Sequence, residues 1–240
     1  MKDREIDKAL ENAARLEHGV QPAVLERIAT SVHASLHPVR PAPRAWVLIA
    51  GLLLLCTAVA LAGAARSGFS GFEALGIEER VIILSMLAML AWIAARELVS
   101  RWIPGSRHYL APGALVALVS ATLLFVFALL FDDYHTTRFL SGGVICLSAG
   151  VLHAIPAACL AAWFLRRGFA VEPVAAGAIA GTFGGLSGVT LLELHCPNLE
   201  APHVLFWHVA VVPVSAALGA LVGWAVSCRA GRTTVHRRPP

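Results

Sequence analysis

Long apolar blocks alternate with short polar segments along most of the chain. Each block holds about 20 mainly apolar residues, the length of an α-helix that crosses the hydrocarbon core of a bilayer. The blocks lack the period-two alternation of β-strands, so the pattern predicts helices. The predicted membrane spans, in chain order, are roughly Trp46–Ala65, Arg80–Val99, Leu110–Phe131, Gly143–Leu165, Val174–Leu194 and Val204–Val226.

The predicted fold class is therefore all-α: a polytopic membrane protein with a six-helix transmembrane bundle and a short helical N-terminal segment. Composition agrees, because 58% of the 240 residues are hydrophobic and only 14% are charged, whereas a soluble domain of this length needs more polar surface. Three regions follow. They are a polar segment and Pro-rich linker (1–44), the transmembrane domain (45–227) and a basic tail (228–240).

Basic residues indicate the orientation, because cytoplasmic loops of membrane proteins are enriched in Lys and Arg. Of the 19 Lys and Arg residues, only Arg66, Arg80 and Arg138 fall on one side of the predicted bundle. We therefore expect both termini in the cytoplasm, with a bacterial inner membrane as the setting. The net charge of +4 then reflects basic cytoplasmic segments, so no direct DNA binding is expected.

The N-terminal segment has the pattern of two short helices, at about Ile6–His18 and Pro22–Leu36. The second carries an apolar stripe at helical spacing. Two interpretations remain open: the stripe rests on the membrane surface or the bundle's own loops, or it docks in a groove on a cytoplasmic partner. The candidate partner-binding residues are Val24, Leu25, Ile28, Val32 and Leu36.

Small residues inside the last two spans predict close helix packing, because glycines at four-residue spacing let two backbones approach. Charged residues are nearly absent from the span interiors, which argues against a pump or ion-coupled carrier. The candidate packing residues are Gly177, Gly181, Gly185, Gly219 and Gly223.

Two cysteines stand at the predicted outer face. Cys146 lies about one turn into the fourth span, and Cys196 lies just past the outer end of the fifth. Two thiols in an oxidising compartment can form a disulfide, and thiolate with imidazole can bind a transient metal ion such as zinc, copper or cadmium. Either thiol can also be a small buried apolar group. The candidate auxiliary ligands are His195, His203, His153, Asp132, Asp133 and His135.

A haem would need histidines that face each other across helices, and His153 with His208 is one such pair. No cofactor is certain from these patterns. Nothing resembles a nucleophile–base pair or a phosphate-binding loop, so the chain is not expected to be an enzyme. Two rival functions remain: a small transporter or permease, and a membrane-embedded thiol or metal redox protein.

The second half of the chain carries a distinctive series of motifs. They are Cys146 followed by Pro156, the Leu165-Arg166-Arg167-Gly168 turn, the Gly-rich helix Gly177–Gly188, the His195-Cys196-Pro197 motif, Trp207, and the Gly219/Gly223 helix. In these features the chain resembles the NrsF family, six-helix integral-membrane anti-sigma factors of Gram-negative bacteria. The chain departs from the family at His208, where an aromatic residue such as Tyr is expected.

The resemblance implies a role in transcription regulation and stress signalling. Such a protein would hold an extracytoplasmic-function sigma factor at the membrane through residues 1–44. It would release the factor on a metal or oxidative signal. The two characteristic cysteines of the family correspond to Cys146 and Cys196, so the resemblance assigns the sensing role to these thiols.

Overall fold

The computed structural model describes residues 22–35, 43–103, 106–136, 139–164 and 172–235. The chain divides into two compact units, Met1–Ala42 and Pro43–Pro240. In the first unit, helix α1 (Pro22–Ser35) corresponds to the second helix predicted for the N-terminal segment. The predicted helix Ile6–His18 and the stripe residue Leu36 lie outside the described residues. Ile28, in the middle of α1, is 52% exposed.

All regular secondary structure in the described part of the second unit is helical, with no strand among those residues, which confirms the all-α fold class. Six of its helical segments are long and apolar enough to cross a membrane, so the chain is a multi-pass membrane protein. In chain order the elements are α2 (Ala45–Ser67), α3 (Ser70–Ala74), α4 (Ile77–Trp102), α5 (Pro112–Leu130), α6 (Phe139–Phe164), α7 (Pro173–His195), α8 (Ala201–His203), a π-helical turn (Val204–His208) and α9 (Val209–Val235).

Three spans begin three or four residues earlier than the apolar blocks suggest, and the second of the six is one of them, with its start at Ile77 rather than Arg80. The fourth starts at Phe139, whose ring packs against Trp207 with the centroids 5.5 Å apart. The last starts at Ala201, because Pro202 fits the first turn of a helix, where its missing N–H is not needed. A hydropathy profile does not detect the contact between Phe139 and Trp207, because it is a tertiary contact. It also does not detect the preference of proline for the first turn of a helix, which explains the position of Pro202.

Helix α7 forms the centre of the bundle. In its most apolar 18-residue stretch 72% of the residues are buried, whereas the value for α5 is 22%. Helix α7 contacts α9 most extensively, and it also packs against α6, α4 and α2. This close packing on several sides is possible because glycine, alanine and serine occupy much of the length of α7, where larger side chains would keep the neighbouring helices apart. Helix α5 keeps large apolar side chains that suit contact with lipid.

In the contact between α7 and α9, the backbones of the two helices pack directly against each other. A methyl group added at Gly177 would clash with the carbonyl oxygen of Gly219, and one added at Gly181 would clash with the carbonyl oxygen of Ser215. No larger residue fits at these positions without separating the helices. All five glycines expected to pack helices lie in this contact: Gly177, Gly181, Gly185, Gly219 and Gly223.

The π-helical turn gives the last span an irregular start. π-helical turns are wider than α-helical ones and occur often at functional sites. Trp207 and His208, at its end, are both buried. Gly143 in α6 leaves the room that the Trp207 indole occupies, since a methyl group there would clash with the ring. The start of α6, the end of α7 and the start of the last span therefore meet at one end of the bundle.

Candidate functional site

Two cysteines and two histidines converge at this end of the bundle. Cys146 is in the first third of α6, and Cys196 directly follows α7. His203 ends α8, and His208 ends the π-helical turn. One potential ligand atom from each of the four side chains lies within 4.8 Å of all the others. We call these four residues the Cys/His cluster.

The distances inside the cluster are short. The sulfur atoms of Cys146 and Cys196 are 3.4 Å apart, and both cysteines are free thiols. The Cys196 sulfur is 3.6 Å from Nε2 of His203. The His203 and His208 rings meet edge to face with their centroids 5.3 Å apart. Cys196 is 5% exposed and each histidine is 1% exposed, so the cluster is closed off by protein on most sides.

A buried carboxylate holds one of the histidines in place. Nδ1 of His208 is 2.7 Å from Oε1 of Glu193, and both side chains are buried. Glu193 lies in the last turn of α7. Neither Nε2 of His208 nor Nδ1 of His203 has a hydrogen-bond partner among the described residues. Histidines that bind a metal commonly donate their other ring N–H to a carboxylate, which orients the ring.

The loop between α7 and α8 is fixed by backbone contacts. The N–H of Cys196 donates to the carbonyl of Leu192 at 2.7 Å, which closes the last turn of α7. The side-chain oxygen of Asn198 accepts a hydrogen bond from the N–H of Glu200 at 3.0 Å, a local turn that Asn favours. The N–H of Ala201 donates to the carbonyl of Asp133 at 2.6 Å. These bonds hold Cys196 and His203 on either side of a short, well-defined connection.

Cys196 lies outside the spanning helices, and its surroundings favour the protonated thiol. Its hydrogen bond with Cys146 raises the pKa of the Cys196 thiol, and burial raises the pKa further. The contact with His203 acts in the opposite direction. A metal ion that binds here must displace the thiol proton, because only the thiolate is a good ligand.

Three of the candidate auxiliary ligands lie in the neighbouring loop and stay outside the cluster. Asp132, Asp133 and His135 are all exposed. Asp133 and His135 form a side-chain pair. Their hydrogen bond lowers the pKa of Asp133 and raises the pKa of His135. We call these three residues the acidic loop.

The two other candidate histidines also have separate environments. Nδ1 of His195 is 3.4 Å from the carbonyl oxygen of Gly68, on the loop that follows α2. The ring of His153 packs against Gly63 in α2, where an added methyl group would clash with it. Of the eight sensing and auxiliary candidates, the structure thus brings together Cys146, Cys196 and His203.

Sequence reasoning missed two residues at this site. The sequence-based prediction gives Glu193 no role at the site. His208 enters the sequence-based prediction only as one of a haem-binding pair with His153, and as a departure from the pattern of a family. One signal was available: an acidic residue in the last turn of one span and a histidine in the first turns of the next are unusual in apolar helices.

The chain matches a protein-family model. A family model described as NrsF, negative regulator of sigma F, matches residues 33–227. The matched range includes Cys146, Cys196, His203, His208 and Glu193, together with five complete candidate spans and all of the sixth except its last two residues. No curated protein and no solved structure matches the chain.

Proposed function

Since the chain belongs to the NrsF family of negative regulators of sigma F, we propose that it is an anti-sigma factor of the bacterial inner membrane that sequesters an extracytoplasmic-function sigma factor. The family is regulatory rather than catalytic. The observation that carries the proposal is the family match over most of the membrane domain. The proposed signal is a metal ion or an oxidant, sensed by Cys146 and Cys196.

The charge distribution supports an orientation with both termini in the cytoplasm. Cys146 and Cys196 belong to the end of the bundle where α2 ends and α4 begins, the end with few Lys and Arg residues. Under the positive-inside rule this end faces outward. The protein then has a cytoplasmic region for the sigma factor and an outward Cys/His cluster, connected by the helices between them.

A single-cysteine labelling experiment tests this orientation. Tyr134 is exposed and lies between the acidic-loop residues Asp133 and His135, and Cys228 is exposed near the other end of the bundle. In a variant whose five cysteines are replaced, Tyr134→Cys should react with a membrane-impermeant maleimide in intact spheroplasts. A variant that retains only Cys228 should react after the membrane is opened. The reverse pattern would contradict the orientation.

We propose that residues 1–44 bind the sigma factor through the apolar stripe of Val24, Leu25, Ile28, Val32 and Leu36. The family match begins at residue 33, so this proposal depends on the predicted cytoplasmic location and on the stripe itself. Ile28 is exposed on α1 and available to a partner. An amphipathic helix in an apolar groove is a common recognition mode.

The binding proposal is tested with the full-length protein. Ile28→Asp places a charge within the stripe, whereas Thr30→Asp places the same charge on another face of α1. Thr30 is also exposed, and its hydroxyl only donates to the carbonyl of Glu26. Burial of one aliphatic side chain contributes about 1.5–3 kcal/mol, so Ile28→Asp should weaken co-purification of the co-expressed sigma factor at least about tenfold. Equal retention by both variants would overturn the binding role of the stripe.

The sensing proposal follows from the position of the two thiols. Cys146 and Cys196 belong to different helical segments, and their sulfurs are 3.4 Å apart. Oxidation would form an S–S bond as the two thiols lose two protons and two electrons to an oxidant such as hydrogen peroxide, which becomes water. Metal binding would instead displace the thiol protons. Either event would change the packing of α6 against α7 and favour one of two arrangements of the bundle.

A further inference from the structure

We propose that Cys146, Cys196, His203 and His208 bind one zinc-class divalent cation in a tetrahedral site, and that Glu193 is a positioning residue for His208. Metal binding itself is independent of any partner. Its use as the signal rests on the proposed anti-sigma function. The site differs from the cysteine pair assigned by sequence, because two histidines and a supporting carboxylate complete it.

The distances are close to those of a tetrahedral zinc site. Zinc binds thiolate sulfur at about 2.3 Å and imidazole nitrogen at about 2.0 Å, so its ligand atoms lie about 3.3–3.8 Å from one another. The two sulfurs are 3.4 Å apart, and Cys196 Sγ is 3.6 Å from His203 Nε2. All four ligand atoms lie within 4.8 Å. A small contraction of the cluster therefore gives the complete coordination.

One buried nitrogen without a hydrogen bond points to a missing ligand. His208 is 1% exposed, and its Nε2 has no hydrogen-bond partner among the described residues, whereas the unpaired atom of His203 is Nδ1 and not the Nε2 that faces Cys196. Buried polar atoms are rarely left unpaired in folded proteins. Because Glu193 accepts the hydrogen bond of Nδ1 in His208, Nε2 of that ring is the atom available for a cation.

The donor set selects the class of ion. Two thiolates and two imidazoles in tetrahedral geometry suit Zn²⁺ and its larger congener Cd²⁺, whereas Mg²⁺ and Ca²⁺ prefer six or more oxygen ligands. Binding exchanges the cation for the two thiol protons and for any proton on Nε2 of His208. The two thiolates then balance the charge of the cation. Glu193 stays outside the coordination sphere and stabilises the ring of His208.

The site would connect three segments of the chain. Cys146 belongs to α6, Cys196 to the end of α7, and the histidines to the start of the last span. A cation bound to all four residues would therefore fix the relative positions of these segments. Loss or gain of the ion is a local event that these helices can transmit along their length.

Cobalt titration of the full-length protein in detergent, under reducing conditions, tests the site. Co²⁺ reports tetrahedral sulfur and nitrogen coordination by its visible absorption, and Zn²⁺ should displace it at one ion per chain. Replacing any one of the four ligands should weaken metal binding more than about 100-fold, which exceeds the effect typical of residues that only hydrogen-bond to a metal ligand. The variants are Cys146→Ser, Cys196→Ser, His203→Ala and His208→Ala. His195→Ala, His135→Ala and Cys228→Ser are the matched controls and should bind as the wild type does.

Glu193→Gln separates a positioning role from a purely structural one. It should retain the tetrahedral cobalt spectrum but weaken Zn²⁺ binding about 10–100-fold, the range typical of carboxylates that support a metal-bound histidine. Should His208→Ala reduce the yield of folded protein, His208→Gln removes the imidazole ligand and keeps a donor to Glu193. Absence of a tetrahedral spectrum in the wild type, or its persistence in the His208 variants, would overturn the site.

Sigma-factor release, measured on the same samples, separates the two proposals. Tetrahedral binding without any release would support the site and overturn its use as the signal. Release by an oxidant from a protein that binds no cation would overturn the site and leave the anti-sigma function in place. Binding and release that both require His208 would support the site and its signalling role together.

Discussion

The Cys/His cluster and the acidic loop lie at the same end of the bundle, and both contain side chains that can bind metal. They differ in burial and in support. The cluster histidines are each 1% exposed and one is held by a buried carboxylate, whereas Asp132, Asp133 and His135 face solvent. The comparison teaches that residue type and membrane side are insufficient to define a site. The surrounding residues decide whether the groups converge and keep their geometry.

The two regions also differ in how a chemical change within them can affect the packing of the helices. The Cys/His cluster joins α6, the end of α7 and the start of the last span, and these segments pack through glycine-mediated backbone contacts. The acidic loop contacts this region through the hydrogen bond from Ala201 to the carbonyl of Asp133. A chemical change in the cluster therefore acts on packed helices, and a change on the acidic side chains acts mainly on solvent.

The largest expected effect comes from separating the helices beneath the cluster. Gly181→Leu should cost at least about 3 kcal/mol of unfolding free energy or abolish the folded protein, because overpacking here forces α7 and α9 apart. The measurement is the unfolding midpoint in detergent, followed by tryptophan fluorescence. Gly113→Leu is the control, since an added Cβ at Gly113 meets no atom within 4 Å. Similar midpoints for both variants would contradict the packing account.

The second effect concerns signalling and compares the two regions directly. Cys146→Ser and Cys196→Ser should each reduce the response of a sigma-dependent reporter to metal or oxidant by at least about tenfold, since each removes a thiol that both proposed chemistries require. Asp133→Asn and His135→Ala should respond within about twofold of the wild type, because exposed carboxylate–histidine pairs contribute little. A larger loss in the acidic-loop variants than in the cysteine variants would reverse the comparison.

The smallest effect is the pH dependence of the acidic loop. The raised pKa of His135 gives stability that is present below its ordinary value of 6.5 and is lost as pH rises through the raised value. The lowered pKa of Asp133 gives stability that is present above its ordinary value of 3.8 and is lost as pH falls through the lowered value. The contribution of the pair is therefore fully present between these two ordinary values.

Because both groups are exposed, this contribution should be slight and should disappear in salt. The measurement is the unfolding midpoint of the wild type and of His135→Ala at about pH 5 and about pH 8. His135→Ala should remove a small difference between the two pH values. A strong, salt-resistant pH dependence that disappears in His135→Ala would show that the acidic loop is buried or coupled to the bundle.

The fold could be predicted from the sequence because the bilayer imposes a simple length rule. Six apolar blocks gave six spanning helices, with differences of a few residues at their ends. Those differences arise from particular contacts, such as the packing of Phe139 against Trp207. Hydropathy measures transfer of each residue into lipid, so it does not detect contacts between residues that are distant in the chain.

The candidate site could be predicted only in part. The depth of Cys146 and Cys196 follows from the ends of two spans, so sequence reasoning could expect both thiols at one face. The roles of His208 and Glu193 depend on the π-helical turn and on the register of α7 against the last span. Neither has a local sequence pattern strong enough to predict it. His208 was treated as a departure from the family, whereas it is the residue that extends the cluster to four possible ligands.

Release of the sigma factor from the purified complex tests the central claim most directly. The full-length protein with its bound sigma factor is placed in nanodiscs, and dissociation is followed after addition of Zn²⁺, Cd²⁺ or hydrogen peroxide. We predict release from the wild type and from His135→Ala, and retention by Cys146→Ser and Cys196→Ser. Equal release from the cysteine variants and the wild type would contradict the account.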